Sequence, residues 1–245
     1  MKDSKLADNA YKVLKEELIL GKFLPGDKMT ENALAERLKM SRTPIREALR
    51  RLERDGLVEF AGSRAFVRRY SMEEVSQLYE LRQMLEVHAA VEAAGRIRND
   101  ALERLEFCCQ EFDRLTAELE KKRAAGEDCS SIGTEIALND FNFHMIVIAQ
   151  SANSFIRKLS LDLRIAMLST FRAGLKDPTG EPSPEMLRQM HREMYCALKE
   201  RDTEKVRELF TFHISNSRRI LAERFRKTPE ECTTRSILRE TMEHI

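Results

Sequence analysis

The sequence predicts a mainly α protein in two parts: an N-terminal winged helix-turn-helix with a small β-hairpin wing, then a C-terminal all-α helical bundle. Three observations carry this. Residues 41–56 form a capped, arginine-bearing helix that follows another helix across a short turn; two short β-prone runs come next; and past residue 70 no strand-like alternation interrupts the helical spacing of apolar positions. At 245 residues the chain is long enough for two domains of ordinary size. Their boundaries are expected at 1–70 and 71–227, with a C-terminal tail at 228–245.

Residues 9–20 are helical in pattern and end at Gly21, after which Leu24-Pro25-Gly26 makes a turn. Thr30 caps a second helix through Leu38, and residues 39–41 turn the chain into the third. There Thr43 suits the cap, Pro44 the first helical position, and Gly56 the left-handed residue that stops the helix. Ile45, Ala48, Leu49 and Leu52 form one apolar stripe, while Arg42, Arg46 and Arg50 lie off it near the N-terminal end. The positive end of the helix dipole and three guanidiniums therefore face one partner. A phosphate backbone supplies the negative charge, and guanine offers two acceptors that an arginine takes bidentately in the major groove. A solvated basic face would hold the same residues, but two helices joined by a turn of three or four residues make the helix-turn-helix unit, whose second helix enters the major groove. Residues 57–60 and 65–69 flank Gly62-Ser63-Arg64 and read as a hairpin, the wing.

The rest reads as helices. Ser71-Met72-Glu73-Glu74 is a capping box that opens a segment running to Ile97. A second bundle helix starts at Asn99 or Asp100 and continues to Arg123, and a polar stretch, 124–131, precedes a third over 132–150. A fourth covers 153–173; the loop 174–184 holds three of the six prolines; and two more helices cover 185–200 and 202–226. No chemistry is legible in the tail.

Charge divides along the same boundary. The net charge of the whole chain is +1, yet residues 1–70 hold 16 basic and 11 acidic side chains, net +5, leaving −4 for the remainder. The electrostatic footprint of a nucleic-acid partner is thus confined to the N-terminal part. No apolar stretch approaches the ~20 residues needed to span a bilayer, and no signal-peptide core follows the N-terminus, so a cytoplasmic protein without a membrane partner is expected. The five cysteines, at 108, 109, 129, 196 and 232, are odd in number and lack CxxC spacing. A disulfide framework or thiolate zinc site is not expected, and no role is assigned to them.

A second constellation lies in the bundle. Asp140 and His144, four apart, project from one helix face. His191 stands 11 residues before Asp202 and His213 11 after it, so an antiparallel hairpin brings the two imidazoles level. Three imidazoles and a carboxylate suit Zn²⁺, Ni²⁺, Mn²⁺ or Fe²⁺ better than Ca²⁺ or Mg²⁺. Histidines scattered over helices also serve as surface or hydrogen-bonded core groups, the reading that fits His88 and His244. Arg82 and Arg164 are candidates to pair with a carboxylate ligand, or ordinary salt-bridging arginines.

Two groups of motifs resemble a known family. Leu24-Pro25-Gly26, the helix 33–38, and Ser41-Arg42-Thr43-Pro44-Ile45-Arg46-Glu47-Ala48-Leu49-Arg50 followed by Asp55-Gly56-Leu57 are similar to the winged helix of GntR-family bacterial transcription regulators. The resemblance implies that Arg42 and Arg46 read bases, that Thr43 contacts phosphate, with Ser41 and Arg50 beside them, and that the wing tip approaches the minor groove. The glycine usual just before the second wing strand is replaced by Arg64, which would strengthen attraction to a narrow groove. Asp140, His144, His191 and His213 resemble the metal-binding set of the FCD-type all-α effector domain in the FadR branch, with Leu78-Tyr79-Glu80-Leu81-Arg82 and the 197–202 turn in support. In such domains the metal keeps open positions that a small carboxylate occupies.

The implied function is a ligand-responsive regulator, by default a repressor, that binds a double-stranded palindromic operator as a homodimer and senses a small organic acid at the metal. In an alternative, the ion itself is the signal. A metal-dependent hydrolase would need a general base beside the bound water, and no HExxH or comparable motif supplies one; an enzyme is not expected.

Overall fold

The computed structural model describes residues 2–171 and 183–227. Among them the order is α1 (Lys2–Ile19), β1 (Lys28–Met29), α2 (Glu31–Leu38), α3 (Arg42–Arg54), β2 (Val58–Ala61), β3 (Arg64–Val67), α4 (Met72–Arg96), α5 (Asn99–Ala125), α6 (Ser130–Ala149), α7 (Ser154–Phe171), α8 (Pro184–Glu200) and α9 (Thr203–Lys227). Among the described residues the chain forms two compact units, one holding residues 2–71 with 165–171 and the other 72–164 with 183–227. The expected loop 174–184 lies outside the described residues as far as residue 182, as do Cys232 and the tail 228–245.

In the first unit α1 packs on α3. Ala7, Ala10, Leu14 and Leu18 meet the stripe Ile45, Ala48, Leu49 and Leu52, all at most 2 % exposed. That apolar row continues upstream of residue 9, so α1 starts seven residues earlier than its sequence pattern indicated. The caps also differ. Ser41, not Thr43, holds the extended N-cap conformation of α3, and Pro44 is the third helical residue. The first four amides of a helix have no intrahelical acceptor, so proline is tolerated there without losing a bond. Thr43 is left exposed.

The wing pairs Val58 with Val67 and Ala61 with Arg64, leaving Gly62-Ser63 as a two-residue loop. Gly62 takes φ +61°, the left-handed conformation such tight hairpins require. One strand was not anticipated: β1 pairs antiparallel with β3, giving a sheet of order β1-β3-β2. A two-residue strand is too short to show alternation. It is registered by the turn before it, where Gly26 N–H donates to the Val67 carbonyl at 2.8 Å and Val67 N–H to Asp27 at 2.9 Å. Gly26 sits at φ +87°, where any side chain would be strained, and a Cβ there would stand 2.1 Å from Arg69 Nε and displace that side chain.

In the second unit α4 packs against α9, α6 and α8, and α5 against α6 and α8. Phe112, Phe143, Phe210, Ile214, Val147, Met194 and Leu198 fill the space between them. Ser183 caps α8 by accepting from Met186 N at 3.1 Å, and Pro184 opens the helix. Helix α6 begins two residues before the expected 132, where Asp128 accepts from Ser130 N at 2.9 Å. Arg201, at φ +59°, reverses the chain between α8 and α9 and donates to the carbonyls of Gly95 and Ile97, both at 3.0 Å. This tight turn is what sets His191 and His213 level. Cys108 and Cys109 are buried, and burial pushes the Cys109 thiol up to about 12, which makes both core residues. No helix among the described residues is long and apolar enough to cross a membrane.

Candidate functional site

Two surfaces bring the expected residues together. In the first unit, burying the apolar stripe of α3 forces Ser41, Arg42, Thr43, Arg46 and Arg50 outward, and all five are exposed. The three arginines are not equivalent. Arg46 pairs bidentately with Glu31 at the start of α2, Nε to Oε1 at 2.7 Å and Nη2 to Oε2 at 2.8 Å, while Arg42 Nη2 reaches Oε2 at 3.4 Å. Arg50 instead lies over the Phe60 ring of the wing, 4.0 Å from its centroid, and binds Glu53 at 3.0 Å. Arg64 opens β3, exposed at the wing tip. Thr30, Glu31, Arg42, Arg46, Phe60 and Arg64 line a cleft of about 280 Å³ between α2, α3 and the wing.

In the second unit, α6, α8 and α9 each present their histidine to one point. Asp140 Oδ1 is 3.2 Å from His191 Nε2, 3.3 Å from His213 Nε2 and 3.6 Å from His144 Nε2, and the four ligating atoms all lie within 4.8 Å of one another. Donors about 2.0–2.1 Å from a tetrahedral ion stand roughly 3.3 Å apart, a spacing the three Asp140–histidine distances match, and one carboxylate with three imidazoles is a donor set that suits such an ion. His213 Nε2 is buried 3.3 Å from Asp140 Oδ1 without a hydrogen bond of good geometry, so it could take a further partner.

Two of the three rings have a neighbour behind them. His191 Nδ1 lies 2.9 Å from the Leu187 carbonyl, and its face stacks on Phe112 with centroids 4.0 Å apart. His144 Nδ1 is 2.6 Å from Glu86 Oε2. With a proton on Nδ1, His191 and His144 would turn Nε2 toward a cation. Burial, with Arg164 adding to it, drives the His144 pKa down to about 4; burial drives His213 to about 3. Both are therefore neutral at pH 7. Burial opposes the charge on Asp140, but Arg164 at 2.7 Å and the surrounding imidazoles outweigh it and keep the carboxylate ionised.

Arg82 and Arg164 are not solvated. They are 1 % and 5 % exposed and both reach into the cluster. Arg82 Nε donates to Glu86 Oε1 at 3.0 Å, and its Nη2 lies 3.4 Å from His144 Nε2; Arg164 Nη1 is 3.8 Å from the same Glu86 oxygen. Glu86, fully buried, joins both arginines to His144. Sequence reasoning missed it, although its place one turn after Arg82 on the face shared with Tyr79 and Ala90 was the available signal. Glu31 was missed too, since nothing in the sequence relates the start of α2 to Arg46.

Comparison with known proteins accords with this geometry. Residues 6–67 match the family described as bacterial regulatory proteins of the gntR family, and residues 77–216 match the FCD domain. The chain is 28% identical over 207 residues to the HTH-type transcriptional regulator YdhC of Bacillus subtilis, covering 84% of this chain and 86% of that protein. It is 26% identical over 205 residues to the HTH-type transcriptional repressor RspR of Escherichia coli, covering 83% of each. Among solved structures, Escherichia coli McbR/YncC shares the fold at a TM-score of 0.70, with 23% identity over 90% of this chain and 98% of that one. The chain belongs to the GntR family of bacterial DNA-binding transcription regulators, carries a FadR-like FCD domain behind its helix-turn-helix, and is not an enzyme.

Proposed function

We propose that this regulator represses transcription by binding a palindromic operator as a homodimer, and that a small organic acid bound at a divalent metal controls it. In this reading residues 1–70 bind DNA, residues 71–227 form the effector and dimerisation bundle, and 228–245 is a tail. Arg42 and Arg46 read base edges, Ser41 and Thr43 contact phosphate, Arg50 sits on the wing side, and Arg64 follows the minor groove. One winged helix spans few base pairs, whereas a two-fold pair reads both halves of a palindrome. Repression is carried over from relatives such as RspR, which is named a repressor.

The observation that carries the effector reading is the convergence of three Nε2 atoms on Asp140 beside two buried guanidiniums. Arg82 and Arg164 balance Glu86 and Asp140, so a divalent ion leaves the site two positive charges in excess. A charge buried in that way calls for an anion. Zn²⁺, Ni²⁺, Mn²⁺ or Fe²⁺ held by Asp140, His144, His191 and His213 would supply a Lewis-acid position for one carboxylate oxygen; Arg82 and Arg164 orient the rest of the molecule. The signal leaves through α4, which bears Arg82 and Glu86 and follows the wing directly in the chain. Only a ligand with different affinities for two arrangements of the DNA-reading heads can shift between them.

The test is fluorescence anisotropy on a duplex recovered by in vitro selection, with metal-loaded protein and a panel of small carboxylates. A carboxylate that changes wild-type affinity but leaves His191→Ala unaffected is the expected result. If metal alone, without any carboxylate, changes DNA affinity in full, the second reading holds and the ion is the signal. An identical carboxylate response in His191→Ala would remove the site from the mechanism.

A further inference from the structure

We infer that Glu31 is a positioning residue for base reading, gripping Arg46 along its Nε–Nη2 edge so that the guanidinium meets the DNA end-on in a fixed plane. This rests on the proposed role of α3 as the reading helix. The planar guanidinium has five N–H donors. Glu31 takes the Nε hydrogen and one on Nη2 at 2.7 and 2.8 Å. What remains is the Nη1 pair and the outer Nη2 hydrogen, the end that spans guanine O6 and N7.

The pair is asymmetric in the way such a device requires. The Glu31 side chain is 17 % exposed and the Arg46 side chain 57 %, so the carboxylate lies beneath and the guanidinium projects from it. Its second oxygen also reaches Arg42 at 3.4 Å, placing one acid under both arginines expected at base edges. Arg50 is held elsewhere, over Phe60 and against Glu53. Glu31, Arg42, Arg46 and Phe60 line the same cleft between α2, α3 and the wing.

A carboxylate at a DNA-facing surface weakens attraction to phosphate, since it cancels part of the arginine charge. It also fixes a long flexible side chain before encounter, which lowers the ordering lost on binding and favours one geometry of contact over many. Glu31 thereby exchanges sequence-independent affinity for selectivity. An acid at the first position of a helix is also favoured by the helix dipole, but that role needs no arginine partner and predicts no effect on base choice.

The experiment uses the full chain at fixed salt, with a duplex selected on wild type, single guanine-to-adenine pair changes within it, and a random duplex of equal length. Glu31→Gln is expected to bind the random duplex at least as tightly as wild type. Its preference for the selected duplex should fall about tenfold, the loss falling on the base pair that Arg46→Ala also ceases to distinguish. An unchanged thermal melt shows that the fold is kept. If Arg46→Ala loses selectivity and Glu31→Gln does not, or if Glu31→Gln tightens both duplexes equally, Glu31 is only a competitor for the arginine and the inference fails while the reading helix stands. If Arg46→Ala retains full selectivity, the reading-helix assignment falls and takes the inference with it.

Discussion

Glu86 Oε2 lies 2.6 Å from His144 Nδ1, with both side chains wholly excluded from solvent. The contact sets His144 Nδ1 toward Glu86 and Nε2 toward Asp140, and it places a negative charge beside Arg82, which Glu86 binds at 3.0 Å, and near Arg164, whose shorter contact is with Asp140. At the proposed metal site Glu86 would therefore act without touching the ion, by orienting His144.

Glu86→Gln, which keeps the shape but not the charge, should lower metal affinity about 10–100-fold, measured by competition with a chromophoric chelator. Glu86→Ala should in addition destabilise the bundle by about 3–5 kcal/mol, because the buried Arg82 guanidinium loses its carboxylate partner. Wild-type affinity in Glu86→Gln would show that the His144 orientation is set by packing alone.

The metal-free protein should lose stability as pH falls from about 6.5 toward 4. Burial lowers the pKa of His144 to about 4 and of His213 to about 3, below their common value of 6.5 when unfolded. Between those limits the unfolded chain binds protons that the folded chain refuses, so stability rises with pH and is fully present above the unfolded value. Melting temperatures across this range check the sign; a flat profile would mean that the imidazoles are not buried neutral.

His191→Ala should abolish the rise in melting temperature that added Zn²⁺ produces in wild type. With metal at 100 times its dissociation constant that rise corresponds to about 2.7 kcal/mol. Zn²⁺-free melting should remain cooperative, and basal binding to the selected duplex should be unchanged.

Arg46→Ala and Thr43→Ala should differ in kind. Loss of a bidentate base contact costs about 1–3 kcal/mol at one base pair and relaxes choice there, whereas loss of a phosphate contact weakens every sequence alike. Binding to a set of single-substitution duplexes separates the two. A uniform loss in Arg46→Ala would move that arginine to the backbone.

Leu49→Ala should cost about 2–5 kcal/mol in denaturant unfolding, since Leu49 is fully buried where α3 meets α1.

Much of this was legible beforehand because it is local. The α3 stripe, the Gly62-Ser63 turn and the helical spacing past residue 70 each depend on neighbours within a few residues. The hairpin count about Asp202 worked for the same reason, because the α8–α9 turn is short. The early start of α1, the strand Lys28–Met29 and the Ser41 cap were not legible: each is decided by a partner distant in sequence or by one residue's conformation.

The sequence by itself determined the helical segments and the outward arginines of α3, because periodicity, capping and charge are short-range properties that any fold must respect; it offered Asp140, His144, His191 and His213 as a group through hairpin spacing and family resemblance, and the structure brings those four side chains together. Only the tertiary structure decided that Arg82 and Arg164 are buried, that Glu86 joins them to His144, and that Glu31 holds Arg46. Those relationships span up to 78 residues of chain between Glu86 and Arg164. They exist because close packing excludes water from the bundle, and an ionised group there must find an opposite charge.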